Sequence, residues 1–161
     1  MGFMVVSAFR QVVYISQATG TLTESELNEL VEVSRRNNKK YGITGALLYL
    51  ENAFIQAIEG EDAAISELLG KLTADARHRN IRIISDNLAQ VRNFQNWSMG
   101  IVKAVEVDRP EVLEELRLAS PTNGGSEDRS NIMPVSPTFM MMRRLYDTSN
   151  VLQRAQGHSS Y

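Results

Sequence analysis

The stretch ITGALLYLENAFIQAI, residues 43–58, contains two apolar runs separated by the polar pair Glu51-Asn52. Apolar runs on either side of a short polar connection are typical of a β-hairpin. We predict its first strand from Ile43 to Leu50 and its second strand from Ala53 to Ile58. Gly45 carries no side chain, so the first strand can approach a neighbouring backbone closely at that residue.

One polar residue, Gln56, falls on the face of this hairpin that should be buried. Side chains alternate along a strand, so Gln56 shares a face with Phe54 and Ile58. Burying an amide without partners costs about 1–3 kcal/mol for each lost hydrogen bond. Strand neighbours or a buried water could satisfy Gln56, and so could a bound ligand. The sequence therefore predicts that Gln56 either forms its hydrogen bonds within the core or binds a ligand.

Two amphipathic helices are predicted, one before and one after the hairpin. Thr23 and Glu26 have the spacing of a capping box, and the helix that they begin should end near Asn38. The second helix is predicted from Asp62 to Ala76. The apolar stripes comprise Leu27, Leu30, Val31 and Ser34 in the first helix and Ile65, Leu68, Leu69 and Leu72 in the second.

Three further strands complete the predicted sheet. They are expected near residues 12–16, 80–87 and 97–105, where β-branched and aromatic residues recur. The resulting order, β-α-β-β-α-β-β, is typical of a ferredoxin-like α+β sandwich with two helices over one face of a mixed sheet. A ligand would fit between the helices, where the two apolar stripes converge.

The C-terminal third of the chain differs in composition from the rest. Short helices are predicted at residues 108–118 and 136–152, and the segment between them is rich in Ser, Pro, Gly and Asn. We expect one domain at residues 1–105 and a C-terminal helical extension at 106–161, with a flexible connection near 120–135. The methionines of the extension suit packing on its own domain, a second subunit or a partner.

Composition argues against several classes of function. The net charge of the 161 residues is -2, and the basic residues are dispersed, so neither nucleic acid nor a membrane surface is an expected partner. The absence of cysteine excludes disulfides, thiol nucleophiles and thiol–flavin adducts. The two histidines, His78 and His158, do not suggest a metal centre. Without a bilayer-spanning run or a secretory signal, a cytoplasmic protein is expected.

Five short motifs, in order along the chain, resemble those of the BLUF family of flavin-binding blue-light sensors. They are Val13–Gln17, Arg36–Gly45, Phe54–Gly60, Asp75–His78 and Asn93–Met99. The resemblance covers about residues 10–105. It implies a ferredoxin-like fold, non-covalently bound FAD or FMN, and a photosensory role without substrate turnover.

The same resemblance implies roles for individual residues. Tyr14 corresponds to the photoactive tyrosine and Gln56 to the glutamine that changes its hydrogen bonds. Trp97 and Met99 correspond to the strand residues that exchange places near it. Lys71 stands where many members carry an arginine. Lysine replaces that arginine only in part, because its ammonium is a point donor and not a planar fork. The implied flavin-binding residues are Leu30 and Leu72 on either side of the ring, Asn37 and Asn38 at its polar edge, Asp75, Arg77 and His78 near the ribityl chain and phosphate, and Ser34 and Lys71.

The chemistry of tyrosine and glutamine fits these implied roles. A phenol has a pKa of about 10, so Tyr14 keeps its proton until an electron is withdrawn by an excited flavin. Gln56 both donates and accepts, so it could relay that proton and remain rotated or tautomerised, with a new flavin hydrogen bond that gives a small red shift. Trp97 and Met99 would then carry the change to the C-terminal helices. A downstream signalling protein, binding these helices or the sheet surface, and a homo-oligomer are the expected partners.

Three other functions remain compatible with this fold. An acylphosphatase-like hydrolase would need a cation in the loop at residues 18–21, which has none. A small flavin reductase would need a nicotinamide site, and the chain lacks the glycine-rich fingerprint of a dinucleotide fold. In a ligand-free interaction module, Gln56 would only satisfy its neighbours. Colour after purification separates a sensor from the hydrolase and from the ligand-free module. A reversible response to light separates it from the reductase.

Overall fold

The fold is known from a computed structural model that describes residues 8–50, 52–94, 100–103, 142 and 144. In these ranges the order of elements is β-α-β-β-α-β-β, as predicted. The elements are β1 (Phe9–Ala18), α1 (Glu24–Lys40), β2 (Thr44–Leu50), β3 (Ala53–Gly60), α2 (Asp62–Ala74), β4 (His78–Ala89) and β5 (Gly100–Lys103). The ferredoxin-like α+β prediction is therefore confirmed.

The five strands form one mixed sheet in the order β4-β1-β3-β2-β5. The hairpin of β2 and β3 lies inside this sheet, with β1 antiparallel to β3 and β5 parallel to β2. The register places Tyr14 of β1 and Leu47 of β2 directly opposite Gln56 of β3. Directly opposed residues share a face, so these three side chains lie side by side on the sheet.

The predicted capping box begins α1. The Oγ1 of Thr23 accepts from the backbone N–H of Glu26 at 3.2 Å, and the Glu26 carboxylate accepts from the backbone N–H of Thr23 at 2.8 Å. The helix ends at Lys40, two residues beyond the prediction, because the N–H of Tyr41 still donates to helix carbonyls. Gly42, with φ of 65°, then turns the chain away in a conformation that glycine adopts readily. Neither helix of the described ranges is long and apolar enough to cross a membrane.

Both helices pack on the face of the sheet that carries Tyr14 and Gln56. Val31 of α1 and Ile65 of α2 are buried there among residues of the three central strands. The opposite face is also buried at Val13, and Met142, a helical residue of the extension, is fully buried. Most of residues 106–161 lie outside the described ranges, so the division into a domain and an extension remains a prediction.

A buried arginine joins β1, β4 and α2. Arg10 is 6% exposed, and its Nε and Nη2 donate to the two carboxylate oxygens of Asp86 at 2.8 and 2.7 Å. Its Nη1 donates to Asp62 at 3.0 Å and to Ser66 at 2.8 Å, both in the first turns of α2. The Arg10 side chain therefore fixes the start of α2 on the sheet.

At Gly45 the backbone of β2 lies close to the backbone of β3. A Cβ built on Gly45 would overlap the carbonyl oxygen of Ala57 and lie 3.2 Å from the Cα of Ile58, and neither backbone atom can move aside easily. Gly45→Ala should therefore lower the free energy of unfolding by about 1–3 kcal/mol, measured by urea denaturation. Gly70→Ala is the matched control, because nothing lies within 4 Å of that Cβ and alanine favours helices. Equal stabilities of the two variants would contradict the close approach.

Candidate functional site

A cavity of about 280 Å³ lies between α1 and α2, with Gln56 at its sheet end. Its volume is near the lower end of the roughly 300–1,000 Å³ common for small-molecule sites. The structure brings all nine residues predicted to bind a ligand to this cavity. They are Leu30, Ser34, Asn37 and Asn38 of α1, Lys71 and Leu72 of α2, and Asp75, Arg77 and His78 of the segment that follows α2.

The sheet end of the cavity carries a hydrogen-bonded pair. The hydroxyl of Tyr14 donates to Oε1 of Gln56. Tyr14 is fully buried, whereas Gln56 is 8% exposed and lines the cavity. Burial raises the pKa of the Tyr14 phenol, so it is protonated at neutral pH. A strand neighbour thus provides a hydrogen bond to the amide oxygen of Gln56, which is one of the alternatives predicted from the sequence. The Gln56 side chain nevertheless lines the cavity.

The other two predicted photoactive residues, Trp97 and Met99, lie outside the described residues. Their position relative to Gln56 therefore remains a prediction. The described strand β5 begins directly after them, at Gly100, and pairs with β2 from Ala46 to Tyr49.

The C-terminal end of α1 presents two amides to the cavity. Asn38 is 3% exposed, and its backbone carbonyl accepts from the N–H groups of Tyr41 and Ile43 at 3.1 and 2.9 Å. Asn37 is more exposed, and its carbonyl accepts from Tyr41 at 3.3 Å. The capping interactions thus fix the backbone that carries both side chains.

The end of the cavity formed by the residues after α2 combines an ion pair and a histidine. Asp75 accepts from the backbone N–H of Arg77 at 2.9 Å and from its guanidinium, with Nη2 at 2.6 Å. The Nδ1 of His78 lies 3.0 Å from the hydroxyl of Ser16, which is two residues after Tyr14. Burial lowers the pKa of His78, so its ring is neutral at pH 7. The cationic group of this end is therefore Arg77, and Asp75 orients it.

The Asp75–Arg77 pair predicts a pH dependence of stability. Hydrogen bonding by Arg77 lowers the pKa of Asp75 to about 2. A carboxylate whose pKa is lower in the folded state stabilises the protein above its unfolded pKa of about 4 and loses that contribution as the pH falls toward 2. The stability advantage of the wild type over Asp75→Asn should therefore shrink between about pH 4 and pH 2, measured by urea unfolding. Arg77→Gln should remove the same dependence, and an advantage that grows with acidity would contradict the assignment.

Several cavity residues were not foreseen from the sequence, among them Tyr41 and Glu67. Glu67 precedes Lys71 by one helical turn, and their charged groups are 2.9 Å apart. Helical spacing from Lys71 is therefore the signal that could have identified it. Tyr41 offered no such signal, since it follows the last residue of α1 and only the helix cap places it beside the cavity. The other additional residues are Val33, Lys40, Ile43 and Ala64, whereas Leu68 belongs to the apolar stripe predicted for the second helix.

Another unforeseen residue, Glu59, lies on the face of β3 opposite to Gln56 and outside the cavity lining. It is fully buried. Within the described ranges its carboxylate accepts from Gln11 at 3.2 Å, from Thr44 at 3.1 Å, and from the backbone N–H groups of Asn93 at 2.8 Å and Phe94. Such donors offset the cost of burying a carboxylate. Glu59 thus fastens β3 to the turn that precedes residues 95–99.

Comparison with protein families gives a match over residues 9–100, to BLUF, described as sensors of blue light using FAD. Among curated proteins, the chain is 35% identical over 94 residues to a photoactivated adenylate cyclase subunit beta of Euglena longa, covering 58% of this chain and 11% of that protein. It is 25% identical over 103 residues to the blue light- and temperature-regulated antirepressor BluF of Escherichia coli, covering 64% and 26%. The chain thus corresponds to a small part of these relatives.

Solved structures show the same similarity. The dark-state structure of BlrB, a BLUF protein, superposes with a TM-score of 0.61 and 32% identity, over 70% of this chain and 85% of that one. The photo-activated state of BlsA gives a TM-score of 0.60 and 26% identity, over 73% and 86%. A bacterial light-regulated adenylyl cyclase gives 0.58 and 33%, over 68% of this chain and 32% of that one.

Proposed function

The chain belongs to the BLUF family, the sensors of blue light that use FAD, and on that basis we propose that Tyr14 and Gln56 are its photoactive pair. The observation that carries this proposal is the hydrogen bond from the Tyr14 hydroxyl to Gln56, at the sheet end of the cavity. The pair is shielded from water, and only Gln56 of the two lines the space where a flavin would bind.

The cavity suits a flavin in its shape and in its polar groups. Leu30 of α1 and Leu72 of α2 provide apolar surface on opposite walls, as a planar ring requires. Asn37 and Asn38 offer amide donors and acceptors for a polar ring edge, and Gln56 offers a further amide. Arg77, which also lines the cavity, is a cation available to a flavin phosphate. Because the family uses FAD, FAD is the proposed cofactor.

The proposed photochemistry is a rearrangement of hydrogen bonds within the protein. A bound flavin supplies the absorption of blue light and a strongly oxidising excited state. Tyr14 holds its proton on the hydroxyl until it loses an electron, and the phenol then becomes acidic. Gln56 is the hydrogen-bonded acceptor of that proton, and the amide can remain reoriented after the charges recombine. The signal is then stored in the orientation of Gln56 without a net change of redox state.

The proposed route of the signal leaves the site along β3. Gln56 and Glu59 are three residues apart on this strand, and Glu59 holds the backbone of Asn93 and Phe94. A shift of β3 would therefore act on the turn just before Trp97 and Met99. We expect these residues to pass the change to the extension and to a downstream partner. The relatives named as adenylate cyclases and as an antirepressor indicate the kinds of effector to test.

Further features of the proposed sensor follow from the sequence. We propose that the chain turns over no substrate itself, that it forms a homo-oligomer through the sheet or the extension, and that it acts in the cytoplasm. The match at residues 9–100 is to a photosensory family, which supports a light-sensing role, and not a catalytic one, for that range.

The absorption spectrum of the purified protein tests the proposed function. Spectra are recorded in the dark, under blue light, and after return to the dark. A flavin band that moves slightly to the red and returns supports the photoreceptor. Bound flavin that only bleaches would favour a redox enzyme, and a protein that remains colourless after incubation with FAD and FMN would contradict the flavin site.

A further inference from the structure

Three exposed side chains form a bridge between the ends of the two helices at the rim of the cavity. The Nζ of Lys71 lies 4.9 Å from the centre of the Tyr41 ring and 2.9 Å from the carboxylate of Glu67. Tyr41 is 40% exposed, and the side chains of Lys71 and Glu67 are 59% and 55% exposed, although all three line the cavity. They therefore lie where the cavity meets solvent.

The bridge crosses from one wall of the cavity to the other. Tyr41 caps the C-terminal end of α1, and Lys71 and Glu67 belong to α2. A charged lysine over an aromatic face is attracted by the electrons of the ring. An aliphatic residue in place of Tyr41 would still contact Lys71 but would lack that attraction. Hydrogen bonding by Glu67 raises the pKa of Lys71, so the ammonium is charged at neutral pH. Lys40, with its Nζ 5.6 Å from the same ring, adds a second cation.

Lys71 is therefore already engaged by groups of the protein. The resemblance placed Lys71 among the flavin-binding residues, but its ammonium lies against Tyr41 and Glu67. The hydrogen bonds of the α1 cap fix the backbone that carries the Tyr41 side chain. The rim residues therefore separate a flavin beside Gln56 from solvent on this side of the cavity.

We propose that Tyr41, Lys71 and Glu67 form a clasp that retains the flavin by holding the ends of α1 and α2 together at the rim of the cavity. The clasp rests on the proposed flavin site and assigns to it a residue, Tyr41, that slows release of the cofactor. Its contribution comes from the cation–π attraction between two helices, not from the chemistry of the photoactive pair.

The rate of FMN release from loaded protein tests the clasp. The protein is loaded with FMN and diluted, and the fluorescence of released FMN is followed in the dark. Tyr41→Leu should release FMN about two- to fivefold faster, the factor expected for loss of one exposed cation–π contact. Tyr41→Phe keeps the aromatic face but removes the hydroxyl, which also interacts with Lys71, so it should release FMN more slowly than Tyr41→Leu. Release from Tyr41→Leu at the wild-type rate would overturn the clasp.

A double-mutant cycle separates the clasp from simple covering of the cavity. If Tyr41 acts through Lys71, then adding Tyr41→Leu to a Lys71→Met protein should not accelerate release further. The same acceleration in the wild-type and Lys71→Met backgrounds would overturn the clasp. A loss of stability of flavin-free Tyr41→Leu that is large enough to explain its faster FMN release would also overturn it. If the wild type itself takes up no FMN, the proposed flavin site fails first, and the clasp fails with it.

Discussion

Phenylalanine at position 14 should leave flavin bound and abolish the reversible red shift. Phe and Tyr have the same ring, so the fully buried position remains filled and the packing beside Val12 is kept. The change removes the only ionisable proton of the pair and the hydroxyl that donates to Gln56. Difference spectra before and after blue light should therefore show complete loss of photoconversion.

Two further variants determine whether the effect belongs to the pair. Gln56→Leu replaces the amide by an apolar side chain of similar size, so it should also abolish the shift while Tyr14 remains. Ser16→Ala alters a neighbouring buried hydroxyl that bonds to His78, and it should keep the shift. A reversible shift in Tyr14→Phe as large as that of the wild type would refute the assignment of Tyr14.

Alanine at position 10 should cause the largest loss of stability among the substitutions considered. Arg10 is buried, and its removal leaves Asp86, whose side chain is 21% exposed, without its two-pronged partner. Breaking a buried charge pair on one side costs about 3–5 kcal/mol when the remaining charge is fully buried. We expect roughly 3 kcal/mol for Arg10→Ala, because Asp86 keeps some contact with water. Urea denaturation of the flavin-free protein measures this loss.

Asp62→Asn and Arg10→Lys provide the controls. Asp62 is 68% exposed, so Asp62→Asn should cost less than about 1 kcal/mol, as exposed ion pairs usually do. Arg10→Lys keeps the charge but not the planar fork, so an intermediate loss is expected. Similar losses for Asp62→Asn and Arg10→Ala would show that the exposed pair, and not the buried one, fixes α2 on the sheet.

The sequence predicted the elements well where local signals were strong. The capping box at Thr23 predicted the start of α1, and the alternation around Gln56 predicted its face on β3. The predicted ends of the helices and strands were less accurate. β4 begins at His78 and continues to Ala89, beyond the predicted range of residues 80–87, because pairing with β1 extends a strand past its most apolar residues.

The candidate site was predicted mainly from family resemblance. That resemblance selected nine residues, and the fold brings all nine to one cavity, although their roles toward a flavin remain predictions. It did not select Tyr41 or Glu59. Tyr41 acquires its position from a helix cap, and Glu59 acquires its partners from the turn at residues 91–94, which is more than 30 positions away in the chain.

By itself, the sequence determined what depends on neighbours along the chain: the helix start at Thr23, the apolar stripes, the hairpin and the face to which Gln56 belongs. The tertiary structure decided what depends on contacts between distant segments. It paired Tyr14 with Gln56 across two strands, buried Arg10 between β4 and α2, and brought Lys71 to Tyr41 at the rim of the cavity. Local propensity acts over a few residues, whereas these contacts exist only once the sheet register and the helix packing are set.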